Sequence, residues 1–123
     1  MYFRFRDISV FYNASINQAE GLNVVFIHGF TGDSSDWGEI ELLLNRQHNY
    51  YFLDLPGCGK SDKPSASYYY TQEGLTELIS EFLSLIIKNN AVLCGYSMGG
   101  RIVLSVAATI TGVIKGLILE SSS

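Results

Sequence analysis

At 123 residues the chain has room for one domain, against a usual span of about 100–200 residues. Hydrophobic residues make up 47% and charged residues 16%, which excludes intrinsic disorder and supplies a core. Eight basic against twelve acidic residues leave a net charge of -4, unsuited to nonspecific nucleic-acid or anionic-membrane binding, which needs a basic surface.

The elements follow in chain order. Residues 3–12 alternate loosely and predict one or two antiparallel strands. LNVVFI, from Leu22 to Ile27, is a β-branched apolar run that reads as a buried strand ending at His28-Gly29. Asp36 can cap a helix in which Trp37, Ile40, Leu43 and Leu44 share a face. Tyr50 to Leu53 makes the next strand, stopped by Asp54-Leu55-Pro56-Gly57. Thr71 then caps a helix whose Leu75, Leu78, Ile79, Phe82 and Ile86 form one stripe at i, i+3, i+4 spacing. AVLCG (91–95) is another buried strand, residues 98–109 an apolar helix, and GLILE (116–120) a last strand. Strands separated by helices pair in parallel through right-handed crossovers. The fold class is therefore α/β: a mostly parallel sheet with helices on both faces, in a single domain over residues 1–123.

Targeting signals are weak. MYFRFRDISV carries arginines with no apolar run behind them, so no secretory signal is expected. The longest uncharged run, thirteen residues between Arg101 and Lys115, falls short of the roughly 20 that span a bilayer. Cys58 and Cys94 make no disulfide framework, and a reducing cytoplasm suits them.

Chemistry concentrates at Gly95-Tyr96-Ser97-Met98-Gly99, a G-x-S-x-G motif. Alone the pattern is weak. Here a buried strand enters it and an apolar helix leaves it, the setting of a nucleophile elbow. Glycines two residues either side of the serine relieve crowding in the tight turn, and the helix N-terminus adds partial positive charge. The bland alternative is a serine capping an ordinary helix. For an elbow, the amides of Phe30, in the loop after the strand that ends at His28-Gly29, and of Met98 are the expected oxyanion-hole donors. His28 is expected to hold that loop rather than act as base, and His48 to lie on the surface. Asp54-Leu55-Pro56-Gly57-Cys58-Gly59-Lys60-Ser61 imitates a phosphate loop, but Asp54 stands where the first glycine belongs and no helix pattern follows Ser61. No CxxC or HExxH spacing supports a metal, and no cofactor is expected.

The succession HGF, DLPGCGKSD, GYSMGGR, LILESSS resembles the N-terminal half of the α/β-hydrolase superfamily, over nearly everything from Val24 to Ser123. Within it, GYSMGGR followed by LILES most resembles the 2-succinyl-6-hydroxy-2,4-cyclohexadiene-1-carboxylate synthases of menaquinone biosynthesis. Cys58 departs from the histidine many relatives carry in the PGxG loop. The resemblance implies Ser97 as catalytic residue, and Tyr96 and Arg101 as binders of a small anionic substrate, a role that suits a bidentate guanidinium. Arg101 equally suits a surface ion pair, and Tyr96 packing against its neighbours.

A triad in this superfamily runs serine, acid, histidine along the chain, yet both histidines precede Ser97. Glu120 ends the last strand, where some relatives place their acid; Asp54 is expected to brace its own loop. The resemblance implies an N-terminal half lacking a cap and later strands, poorly stable and inactive alone, with the last strand an exposed apolar edge. Three functions stay open: the lyase eliminating pyruvate, a serine carboxylesterase or thioesterase, and a non-catalytic binding module. A reading frame continuing past Ser123 into a later acid and histidine would favour the enzymes.

Overall fold

The computed structural model describes residues 1–29, 32, 34–38, 44, 46–110 and 112–120. Among the described residues eight elements carry the fold: β1 (Tyr2–Phe5), β2 (Ile8–Ser15), β3 (Asn23–Ile27), β4 (Asn49–Leu53), α1 (Gln72–Phe82), β5 (Ala91–Tyr96), α2 (Met98–Thr109) and β6 (Ile114–Glu120). The strands form one sheet in the order β1-β2-β4-β3-β5-β6. β1 and β2 make an antiparallel hairpin that turns at Arg6 and joins β4 antiparallel. From β4 onward all pairing is parallel, so β3, β4, β5 and β6 point their C-terminal ends the same way. Ligand sites in such sheets gather at that edge.

Side chains of each strand alternate between the two faces, and the core divides accordingly. One face packs Val25, Ile27, Leu53 and Leu93 against the stripes of α1 (Leu75, Leu78, Ile79, Phe82) and α2 (Ile102, Val103, Val106). Phe82, fully buried, meets Phe3, Tyr12 and Tyr51 edge-on at centroid distances of 5.6, 5.1 and 6.2 Å. The other face packs Phe26, Tyr50, Phe52 and Cys94 under Trp37.

Most predicted elements stand where the sequence placed them. Thr71 caps α1, its hydroxyl accepting from Gly74 N–H at 3.0 Å. The stripe running on to Ile86 leaves the α-helix after Phe82 and finishes in a π turn over Leu83–Ile87, which stops at Lys88 with φ +73°. The helix expected from Asp36 falls largely outside the described residues, Ile40 and Leu43 included. Asp36 lies within a 3₁₀ turn, Ser34–Trp37. β6 begins two residues earlier than expected, pairs β5 alone, and leaves Leu117, Ile118 and Leu119 between 38% and 52% exposed. No described helix is long and apolar enough to cross a membrane.

Candidate functional site

Ser97 joins β5 to α2 at the C-terminal edge of the sheet. Its backbone sits at φ +55°, ψ −115°, a region that L-residues with a Cβ avoid, at a cost of about 1–3 kcal/mol. An ordinary N-cap has extended φ/ψ and a side chain bonded into the first turn. Ser97 has neither, for its hydroxyl makes no cap hydrogen bond and the residue is exposed. The helix-cap alternative therefore fails, and the serine stands on a strained strand–turn–helix bend. Its N–H donates to the Glu120 carbonyl at 2.9 Å and its carbonyl accepts from Gly100 N–H at 3.0 Å, so both sides of the bend are tied down.

The flanking glycines are there for lack of space. A methyl on Gly95 would lie 2.5 Å from the Gly99 carbonyl oxygen and 2.7 Å from Gly100 N. A methyl on Gly99 would overlap the Ile27 carbonyl at the end of β3. The first turn of α2 thus rests backbone-to-backbone on two strands. Met98 opens that turn, where N–H groups have no acceptor within the helix and the helix dipole is positive. Met98, one of the expected oxyanion donors, begins α2 directly after the serine; Phe30, its expected companion, lies outside the described residues. Its neighbour Gly29 lies beside the serine: a methyl there would stand 3.5 Å from Ser97 Cβ and 3.2 Å from Tyr96 Cδ2.

His28 is fully buried, and both ring nitrogens are engaged. Leu55 N–H donates to Nε2 at 3.0 Å, so Nε2 carries no proton; Nδ1 carries it and donates to the Gly29 carbonyl at 2.7 Å. A ring so held spans two loops and is not poised to take a proton from Ser97. His48 is farther off still: its Nδ1 accepts from Leu22 N–H at 3.1 Å, at the opposite end of β3. The part played by Leu55 left no trace in the sequence, since it is a backbone donor on an apolar residue.

Asp54 braces its loop as expected. Its buried carboxylate accepts from Ser34 N–H at 2.6 Å and Lys60 N–H at 2.9 Å, while its carbonyl accepts from the Ser61 hydroxyl. Gly59 turns tightly over this carboxylate at φ +49°, leaving no room for a Cβ. Within this loop the Lys60 amide faces the protein's own anion, and the amides of Gly57, Cys58 and Ser61 donate to backbone carbonyls, so none of these four is offered to a phosphate.

Tyr96 and Arg101 flank the serine. Tyr96 is 45% exposed with its ring edge against Gly29. Arg101 is exposed in the first turn of α2, and its carbonyl accepts from the Gln72 side chain at 2.9 Å. A hollow of about 820 Å³ runs over the Trp37 face of the sheet, past Phe26, Tyr50 and Cys94, to His28, Tyr96 and Glu120 at the strand ends. Glu120 is thus brought to the serine's end of the sheet. Burial, with the Glu120 carboxylate second, pushes the Cys94 thiol up to about 11. Among the described residues no group of three His, Cys, Asp or Glu side chains could hold a metal ion.

A family model described as the alpha/beta hydrolase fold matches residues 23–123. The chain is 34% identical over 97 residues to 2-succinyl-6-hydroxy-2,4-cyclohexadiene-1-carboxylate synthase of Klebsiella pneumoniae, covering 79% of this chain and 37% of that protein. It is 31% identical over 102 residues to pimeloyl-[acyl-carrier protein] methyl ester esterase of Wigglesworthia glossinidia brevipalpis, covering 83% of this chain and 37% of that one. A hydrolase crystal structure from Pseudomonas aeruginosa superposes with a TM-score of 0.89 at 22% identity, over the whole of this chain and 46% of that one; it speaks to fold alone. The chain spans less than half the length of each of these relatives.

Proposed function

Because the chain belongs to the alpha/beta hydrolase fold family, we propose that it carries the reacting serine and part of the oxyanion machinery of an enzyme acting on a small anionic substrate. The observation that carries this reading is the backbone of Ser97, a strained bend that an ordinary helix start does not need. In the reaction put forward first, Ser97 removes a proton from the substrate. The electron pair left behind forms a carbon–carbon double bond as the carbon–oxygen bond to the leaving group breaks, and the departing enolpyruvate takes up a proton to become pyruvate. The Met98 amide and one from the His28-Gly29-Phe30 loop hold the developing enolate charge. Tyr96 and Arg101 bind substrate carboxylates. GYSMGGR and the synthase relatives support this choice. His28, whose ring nitrogens are both engaged, and His48, at the far end of β3, are not placed to act as the base for Ser97.

The second reading is ester or thioester hydrolysis through an acyl-Ser97 intermediate, favoured by a methyl ester esterase relative at nearly the same identity. Both use the same residues and differ in product. Incubation with the pathway intermediate should release pyruvate, detected with lactate dehydrogenase, and Arg101→Ala should depress that release. A burst of p-nitrophenol from a p-nitrophenyl ester, lost in Ser97→Ala, would instead establish the hydrolase. Neither product would leave the binding-module reading.

A further inference from the structure

Strand alternation gives the hollow on the Trp37 face a regular plan. Its floor is lined by even-numbered strand residues, in three rungs that climb towards the C-terminal ends of the parallel strands. Val24 beside Tyr50 makes the first rung; Phe26, Cys94 and Ile118, register partners in turn, make the second. His28, Tyr96 and Glu120 make the third, where Tyr96 leads into Ser97. Trp37 roofs part of this floor, its ring 4.9 Å from that of Phe26.

Size and charge narrow the occupant. From Val24 to His28 the floor is about 13 Å long, and the strand spacings from β4 to β6 make it about 14 Å wide. Over such a floor, about 820 Å³ is a layer roughly 4–5 Å deep, one flat ring thick and much wider than a single chain. Phe26, Tyr50 and Trp37 line it with rings, whose faces and edges favour an aromatic partner. Among the described residues Glu120 is the one charged side chain on its wall, since His28 is held as a neutral ring. Arg101 belongs to α2, which packs on the opposite face of the sheet, so carboxylates held by Arg101 lie outside the hollow. An anion inside it would meet repulsion from Glu120 at the third rung and desolvation at the other two.

We propose that the hollow is a binding site for a flat, uncharged, fused aromatic ring system, which lies along the sheet with its polar end at Tyr96 and Ser97. The inference rests on the reading of Ser97 only for which end faces the reacting group, and binding can be measured without turnover. The protein has a single tryptophan, so its indole 1H–15N signal reports on the hollow directly. Titrated into the full chain at pH 7, 2-naphthamide should move that signal to saturation. 2-Naphthoate has the same shape with a negative charge, and should bind about fivefold more weakly, as two like charges about 4 Å apart in water repel. Glu120→Gln, at an exposed position, should bring the two within about twofold. Octanamide, a flexible chain with the same head group, should bind about fivefold more weakly than 2-naphthamide. Ile118→Glu puts a carboxylate on the second rung at a half-exposed position, and should weaken 2-naphthamide about tenfold.

An indole signal that never saturates, equal affinity for the amide and the carboxylate, or a chain that binds as well as the ring would overturn the proposal. So would a shift that weakens as protein concentration rises, the mark of a second copy filling the hollow. Saturable binding alongside a Ser97 that no 2-naphthoyl ester acylates would sink the proposed chemistry while leaving the binding site intact.

Discussion

Adding one methyl group at Gly95 should damage the protein far more than its size implies. The new Cβ would sit 2.5 Å from the Gly99 carbonyl oxygen, 2.6 Å from its carbon and 2.7 Å from Gly100 N. All three are backbone atoms, in a turn that itself abuts the end of β3, so none can swing aside. Ordinary van der Waals contact begins near 3.4 Å, and the first turn of α2 would have to withdraw by about 0.9 Å. Forced shifts in packed interiors cost roughly 1–3 kcal/mol, and the withdrawal also loosens α2 from β3, so the upper end applies. At about 1.4 kcal/mol per tenfold change, Gly95→Ala should lower the folded-to-unfolded ratio about a hundredfold. Gly116→Ala is the control. A methyl there meets only Val92 Cγ2, at 3.9 Å, and an alanine in a strand should be neutral or gain up to about 1 kcal/mol. Urea unfolding followed by the fluorescence of Trp37, the single tryptophan and one packed 4.9 Å from Phe26, reads both. Equal midpoints for the two variants would refute the close approach on which the elbow depends.

Three further outcomes are expected. Native Cys94, 6% exposed with its thiol pushed up to about 11, should resist a disulfide reagent at pH 8 that modifies half-exposed Cys58, and both should react in urea. Because folding raises this pKa, its share of stability is complete below the ordinary value of 9.0 and is lost as pH climbs towards 11. That loss is on the order of 2–3 kcal/mol, and Cys94→Ala should lack it in urea midpoints compared at pH 8 and 11. Asp54→Asn turns an amide group toward one of the two N–H donors its carboxylate now receives, and should cost about 2 kcal/mol by denaturant unfolding.

The sequence made the strands and α1 legible because each buries a face whose period matches its geometry, as Leu75, Leu78, Ile79 and Phe82 do. The strand–turn–helix bend at Ser97 was legible for a different reason. Gly95 and Gly99 are forced by backbone contacts that tolerate no Cβ, so a steric requirement is written directly as residue type. Other features had no such imprint. The π turn after Phe82 is a choice of hydrogen-bond register within one apolar run, Leu83–Ile87, and the stripe looks the same in either register. The bond from Leu55 N–H to His28 is invisible because the donor is backbone. Asp54 was readable as a loop brace, yet not that it fills with its own carboxylate the turn resembling a phosphate loop.

The strained bend at Ser97 is best tested by removing its Cβ. At φ +55°, ψ −115°, Ser97→Gly should be more stable than Ser97→Ala by about 1 kcal/mol, since both lose the hydroxyl and only glycine relieves the strain. A relaxed backbone would give the opposite sign, with glycine about 0.5–1 kcal/mol less stable than alanine. That result in urea unfolding would contradict the elbow and the chemistry assigned to it.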